Sequence, residues 1–318
     1  MKRALVFPGQ GSQAVGMGRS LADAYPAARR LFDEVDDALK QPLSRLMFEG
    51  PESELTLTEN AQPALMAASL AVIRVLEAEG GLELGRQAAF VAGHSLGEYS
   101  ALAAAGALSV SDAARLLKLR GRAMQQAVPV GEGAMAALIG LDAEAARRVA
   151  ADATRAGIDH DELCAVANDN APGQAVVSGH RSAVERAIAI AREHGARRSV
   201  MLPVSAPFHS PLLASAAHTM ESALAKVVLR SPTIPLVANV TARPVDDPLQ
   251  IKHLLVQQVT AMVRWRESVL FLAEAGVSEI VEIGAGRILA GLVKRIAPEI
   301  ATRSVGAPAE VEALIGEL

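Results

Sequence analysis

Ala88-Ala89-Phe90-Val91-Ala92-Gly93-His94-Ser95-Leu96-Gly97 is an apolar run that passes directly into Gly-x-Ser-x-Gly. The apolar residues read as a buried strand, and Glu98-Tyr99-Ser100-Ala101-Leu102-Ala103-Ala104-Ala105 reads as a helix. Strand, sharp serine-bearing turn and helix together make a nucleophile elbow. Gly93 and Gly97 lack Cβ atoms, which lets the chain turn tightly and the helix lie close to the strand. Ser95 then stands at the apex, with its hydroxyl exposed at the helix N-terminus. An ordinary strand-to-helix turn can carry the same letters, so the rest of the chain has to decide between the two.

Outward from the elbow, strands and helices alternate. Ala4-Leu5-Val6-Phe7 reads as a strand before Pro8-Gly9-Gln10-Gly11-Ser12-Gln13. Helical patterns follow over 13–39 and 61–78, the second with Pro63 near its start, where proline is tolerated. A further helix runs from about Ser111 to Ala127, with Ser111 as its cap and Asp112 complementing the helix dipole. Near Val130 the rhythm changes. Strands at 134–140, 163–166, 174–178 and 198–202 interleave with helices at 142–156 and 181–194, and Asn168 to Gly173 reads as a turn. That order, βαββαβ, is the ferredoxin-like pattern. After it come a loop carrying His209, a helix over 210–228, a strand over 234–240, and helices at 247–259 and from Trp265. Glu279 to Ile283 reads as a strand entering Gly284-Ala285-Gly286. The sequence therefore predicts an α/β fold with a largely parallel sheet. Residues 1–129 and 203–318 form the large domain, and 130–202 form an inserted ferredoxin-like subdomain.

Composition narrows the function. The 318 residues are 51% hydrophobic and 21% charged, which describes an ordinary globular protein. Aromatic residues make up only 3% and the net charge is −4, so neither stacking platforms nor a broad basic surface suits nucleic acid or anionic membrane. The single cysteine, Cys164, excludes an intrachain disulfide framework and fits a reducing, cytoplasmic setting. It lies in the apolar run Leu163-Cys164-Ala165-Val166 and reads as core. The N-terminus lacks the long apolar core of a secretory signal, and no stretch of 18 uninterrupted apolar residues reads as a membrane span.

A serine hydroxyl needs a base. His160, His180, His194, His218 and His253 sit among polar residues or on predicted helices and read as surface groups. His94 adjoins Ser95, but an elbow points neighbouring side chains apart. His209, in Pro207-Phe208-His209-Ser210-Pro211, is held in a loop restricted by two prolines and is the best candidate. A histidine making local hydrogen bonds at a helix start remains the plainer reading. On the helix after the elbow helix, Arg115, Lys118 and Arg122 share a solvated stripe at 100° per residue. Arg120 faces the other way, among Ala113, Leu116, Leu117 and Met124. A cation there needs an anion or several acceptors, so it marks either a structural pair or a socket for an anionic substrate. The backbone N–H of Leu96 is the expected first oxyanion donor. A second donor is expected from another loop at the carboxyl edge of the sheet, and Gly9-Gln10-Gly11 has the freedom to approach a ligand. That loop lacks the lysine of a P-loop and a complete dinucleotide fingerprint. No cluster has metal-ligand spacing.

These segments together resemble the malonyl-CoA:acyl carrier protein transacylases and the acyltransferase domains of polyketide synthases. The matching landmarks are Phe7-Pro8-Gly9-Gln10-Gly11-Ser12-Gln13, Thr58 through Leu65, Gly93 through Tyr99, and Arg120-Gly121-Arg122-Ala123-Met124. Asn168 through Gln174, Pro207-Phe208-His209-Ser210, Gln258, Trp265 and Glu282 through Gly286 complete the set, in order along nearly the whole chain. The resemblance implies an α/β-hydrolase-like large domain interrupted by the ferredoxin-like subdomain, and a Ser-His pair in place of a full triad. It implies Ser95 as nucleophile, His209 as base, and the Gln258 backbone carbonyl as the group that orients the imidazole. The amides of Gln10 and Leu96 are the implied oxyanion hole, and Arg120 the partner of the malonyl carboxylate. Gln62, Asn168 and Asn170 are expected along the acyl or pantetheine side, and Phe208 beside the base as a cue to malonyl rather than methylmalonyl. The implied reaction moves malonyl from malonyl-CoA to the phosphopantetheine thiol of holo acyl carrier protein in fatty-acid biosynthesis, through a malonyl-serine ester. No cofactor and no metal are implied, and nothing in the sequence demands more than a monomer.

Rival readings use the same elbow. A serine hydrolase or thioesterase sends water to the acyl enzyme, but it commonly adds a carboxylate to the triad and has no need of Arg120. A malonyl-loading subunit of a malonate decarboxylase differs only in its carrier. A non-catalytic docking subunit has no need of both Ser95 and His209.

Overall fold

The computed structural model describes residues 2–157, 162–204 and 206–318. The expectation for His160 therefore lies outside the described residues. Ten strands occur among them: β1 (Arg3–Phe7), β2 (Phe90–Gly93), β3 (Gly133–Ile139), β4 (Cys164–Ala171), β5 (Gln174–His180), β6 (Arg198–Met201), β7 (Leu236–Ala238), β8 (Arg243–Val245), β9 (Glu279–Ile283) and β10 (Ala301–Val305). They form two sheets. The larger has the order β10-β9-β1-β2-β7-β8, and the smaller β4-β5-β3-β6.

The large sheet is parallel except for β8, which turns back antiparallel on β7. β1 is central and buried along its whole length, as a strand covered on both faces must be. Its residues alternate between two apolar cores. Leu5 and Phe7 join the core around helix Thr58–Gly80, while Ala4 and Val6 join the one around helix Trp265–Glu274. Helix Thr58–Gly80 is long and apolar enough by composition to cross a membrane, but 83% of its apolar window is buried inside the protein. It is a core helix.

The smaller sheet is antiparallel throughout, and helices Ala143–Arg155 and Arg181–Glu193 supply the other half of its core. Its strand order is that of the expected βαββαβ unit, so the fold class read from the sequence holds.

The sheet also sets up the site. Phe7 and Gly93 are register partners at the carboxyl ends of adjacent parallel strands. The chain leaving β1 through Pro8-Gly9-Gln10 and the chain leaving β2 through His94-Ser95 are therefore neighbours, and His94 N donates to Phe7 O at 3.0 Å. This is where open α/β sheets bind ligands.

Close approach explains both elbow glycines. A Cβ on Gly93 would lie 1.9 Å from the carbonyl carbon of Gly97, and one on Gly97 would lie 2.3 Å from Phe7 O. Both obstacles are backbone and cannot step aside. Gly93→Ala is expected to lower stability by about 1–3 kcal/mol or more, read as a drop in the thermal unfolding midpoint.

Local expectations shift in several places. The helix after the elbow helix runs Val110–Gln126, and its cap is Ser109, whose side chain accepts from Asp112 N at 3.0 Å. Ser111 lies inside it and donates to Glu34 instead. Asn168 to Ala171 continue β4 and do not turn. Register shifts on either side of Asn168-Asp169 admit these polar residues, and Arg266 pairs with Asp169 at 2.9 Å. The helix expected over 210–228 is Ala214–Leu224, entered through a 3-10 turn at Pro211–Leu213. β8 and β10 had no strand assigned from sequence. β8 is three residues long, with a proline on the sheet edge.

Candidate active site

Ser95 sits at the apex between β2 and helix Gly97–Ala104 with a φ of 54°. A left-handed serine costs free energy that its surroundings must offset. Asn239, just after β7, braces both ends of the turn. Its Oδ1 accepts from Ser95 N at 2.8 Å, and its Nδ2 donates to Gly93 O at 2.6 Å.

His209 is the other left-handed residue here, with a φ of 55°. Its Nε2 lies 2.8 Å from Ser95 Oγ, and its Nδ1 lies 2.9 Å from Gln258 O. A carbonyl oxygen can only accept, so the Nδ1 proton belongs on that bond. Nε2 is left unprotonated and facing the hydroxyl, as a general base requires. Burial, and then the Arg120 charge, push the imidazole down to about 3, so it is neutral across the physiological range.

Arg120 is 1% exposed on the inward face of helix Val110–Gln126. One terminal nitrogen donates to Gln62 Oε1 at 2.8 Å; the other donates to Gln258 Oε1 at 2.8 Å and to Ser95 Oγ at 3.1 Å. Its Nε has no hydrogen-bond partner among the described residues. A fixed cation thus touches the serine hydroxyl, and its other hydrogen-bond partners are neutral amides. Such a cation suits an incoming carboxylate.

The Leu96 amide follows Ser95 and the Gln10 amide follows β1, and neither has an acceptor among the described residues. Both belong to the two loops that the β1–β2 register sets side by side. Ser95, His209, Arg120, Gln62 and Gln258 therefore converge. Phe208 is buried in the core beside His209. Asn170 Oδ1 lies 2.9 Å from His94 Nε2, which turns that ring away from base duty, and the ring lies 5.7 Å from Trp265. Asn168 is buried and bridges by its backbone to Val263. Lys118 and Arg122 both pair with Glu59 at 3.1 Å, and Arg115 lies 3.5 Å from Asp112.

Two site residues escaped the sequence reading. Glu98, in the first turn of the elbow helix, reaches Asn239 N at 2.5 Å and also binds Gln258 Nε2. Asn239 is the second. Glu98 carried one signal, a carboxylate in an otherwise apolar helix start. Asn239 carried none, because its role depends on β7 lying beside β2.

The chain matches the acyl transferase domain family over residues 4–318. The malonyl CoA-acyl carrier protein transacylase of Bacillus subtilis (strain 168) is 46% identical over 317 residues, which is 100% of this chain and 97% of that protein. The crystal structure of an acyl-carrier-protein-S-malonyltransferase from Bartonella henselae superposes with a TM-score of 0.95 at 53% identity, covering 99% of this chain and 100% of that one. A type II PKS acyl-carrier protein in complex with its malonyl-transacylase also matches, with a TM-score of 0.95 at 40% identity and 100% coverage of both chains.

Proposed function

The chain belongs to the acyl transferase domain family, and from that premise we propose that Ser95 and His209 carry its reaction. It transfers the malonyl group from malonyl-CoA to an acyl carrier protein, in fatty-acid or polyketide synthesis. The observation that carries the assignment of roles is the buried Arg120 guanidinium 3.1 Å from Ser95 Oγ. A carboxylate one methylene beyond a thioester carbonyl meets that cation when the carbonyl carbon meets the serine.

In the first half, His209 Nε2 takes the Ser95 proton as Oγ attacks the malonyl thioester carbonyl. The Gln10 and Leu96 amides hold the oxyanion. The C–S bond breaks, and the CoA thiolate takes the proton from His209. In the second half, the phosphopantetheine thiol of holo acyl carrier protein gives its proton to His209 and attacks the serine ester. Oγ leaves and is reprotonated. Side chains and amides supply every role, so thioester exchange here calls for no cofactor. Fatty-acid supply, a cytoplasmic setting and a monomeric enzyme complete the reading. The single buried cysteine supports the reducing compartment.

A hydrolase reading is weaker, because the His209 Nδ1 partner is a peptide carbonyl and because Arg120 occupies the acyl side. Intact-protein mass spectrometry after brief exposure to malonyl-CoA decides between them. A malonyl adduct is expected on the wild type, absent from Ser95→Ala and weak with acetyl-CoA. It is expected to leave on addition of holo acyl carrier protein. Loss to water at the same rate without the carrier makes the enzyme a hydrolase, and no adduct removes the serine mechanism.

A further inference from the structure

Glu98 is 1% exposed, and the mechanism above leaves it without a role. Both its hydrogen-bond partners are neutral: the Asn239 backbone N–H on Oε1 and the Gln258 amide on Oε2. Gln258 links it to the site. Gln258 Oε1 accepts from Arg120 at 2.8 Å, while Nε2 donates to Ser95 O at 2.9 Å as well as to Glu98. A guanidinium only donates and a peptide carbonyl only accepts, so two independent neighbours fix the orientation of this amide. It must therefore present N–H to Glu98. Both carboxyl oxygens then serve as acceptors, and a proton on either would oppose a donor. Burial pushes the Glu98 carboxyl up to about 8, against the Asn239 amide, the Arg120 charge and the Gln258 amide, which pull it back toward the ionised form.

We infer that Glu98, acting through the Gln258 amide, is the positioning residue that aims Arg120 and the Ser95 elbow at the acyl group. It touches no reacting atom. Its hold on the elbow is double, because Asn239, which donates to Glu98, also bonds Ser95 N and Gly93 O. The inference rests on the reading of Ser95 as the acylated nucleophile.

Glu98→Gln keeps the size and one acceptor but sets an N–H against the N–H of either Gln258 or Asn239. Relieving that clash either turns the Gln258 amide, withdrawing Oε1 from Arg120 and Nε2 from Ser95 O, or shifts Asn239 from Ser95 N and Gly93 O. The test is the first-order rate constant for adduct formation at saturating malonyl-CoA, which does not depend on the folded fraction. It is expected to fall about tenfold or more. KM for malonyl-CoA is not expected to rise, because the guanidinium keeps its charge and loses a competing acceptor. Gln258→Met removes the amide, keeps the backbone carbonyl that His209 uses, and cuts the same link from the other side, so it is expected to slow acylation as well. Because the two substitutions cut one link, the double variant Glu98→Gln with Gln258→Met is expected to acylate at the rate of the slower single variant, without an additive loss.

A wild-type rate in Glu98→Gln overturns the inference, as does a double variant whose loss is the product of the two single losses. If Glu98→Gln does not fold, Gln258→Met carries the test: a fall of about tenfold with KM unchanged supports the inference, and a wild-type rate overturns it. Absence of an adduct on the wild type would instead defeat the underlying reading of Ser95.

Discussion

His209→Ala is expected to slow malonyl transfer about a thousandfold, within the range of about 10²–10⁴ that a positioned general base supplies. The loss follows from geometry. Nε2 is 2.8 Å from Ser95 Oγ, and among the described residues the only other group hydrogen-bonded to that oxygen is Arg120, which can donate but not accept. The rate constant for adduct formation measures it directly. Acylation of His209→Ala at the wild-type rate would remove the base assignment. The pH dependence carries a further signature. Burial and then Arg120 hold the imidazole at about 3 in the empty site, so the acid limb of kcat/KM is expected well below the ordinary histidine value of about 6.5. A malonyl carboxylate on Arg120 offsets the second of these causes, so the limb of kcat is expected above that of kcat/KM. Stability follows the same sign. A histidine depressed by folding contributes stability that is complete above about pH 6.5 and is lost as pH falls toward about 3. His209→Ala is expected to flatten that slope.

Arg120→Ala is expected to reduce malonyl adduct formation by tens- to thousands-fold, the equivalent of about 2–5 kcal/mol for losing one partner of a buried charge pair. Acetyl adduct formation is expected to change far less or to rise, since an acetyl group has no carboxylate to leave unpaired. The malonyl-to-acetyl ratio is the quantity to measure, because a partly folded sample lowers both rates alike. The substitution also frees Gln62 and Gln258, so a lower unfolding midpoint is expected alongside. Arg120→Lys keeps the charge but not the planar fork, and is expected to fall between alanine and wild type. An unchanged ratio in Arg120→Ala would show that the acyl carboxylate is bound elsewhere.

The elbow was readable because its demands are local. A buried strand, two glycines at contact distance and an apolar helix follow one another within 18 residues, and each leaves a compositional mark. The βαββαβ order was readable for the same reason, since helix and strand periods alternate cleanly there. Reading failed where a neighbour decided the outcome. Asn168 to Ala171 look like a turn because their side chains are polar or small, yet pairing with β5 and the ion pair from Arg266 to Asp169 make them strand. Ser111 looks like a cap, but Ser109 has the spacing to reach the Asp112 amide.

The sequence alone singled out the candidate side chains: a serine in an elbow, a histidine in a proline-bounded loop, and an arginine on the wrong face of its helix. Their convergence was decided only by tertiary structure. Arg120, His209 and Gln258 lie 25, 114 and 163 residues from Ser95, and the parallel sheet delivers the β1 and β2 ends to a common edge where the others meet them. The partners that fix protonation and direction, namely the Gln258 carbonyl, the Asn239 brace and the Glu98 carboxylate, were decided there as well. A hydrogen bond depends on where donor and acceptor stand in space, and residue spacing along the chain does not encode that.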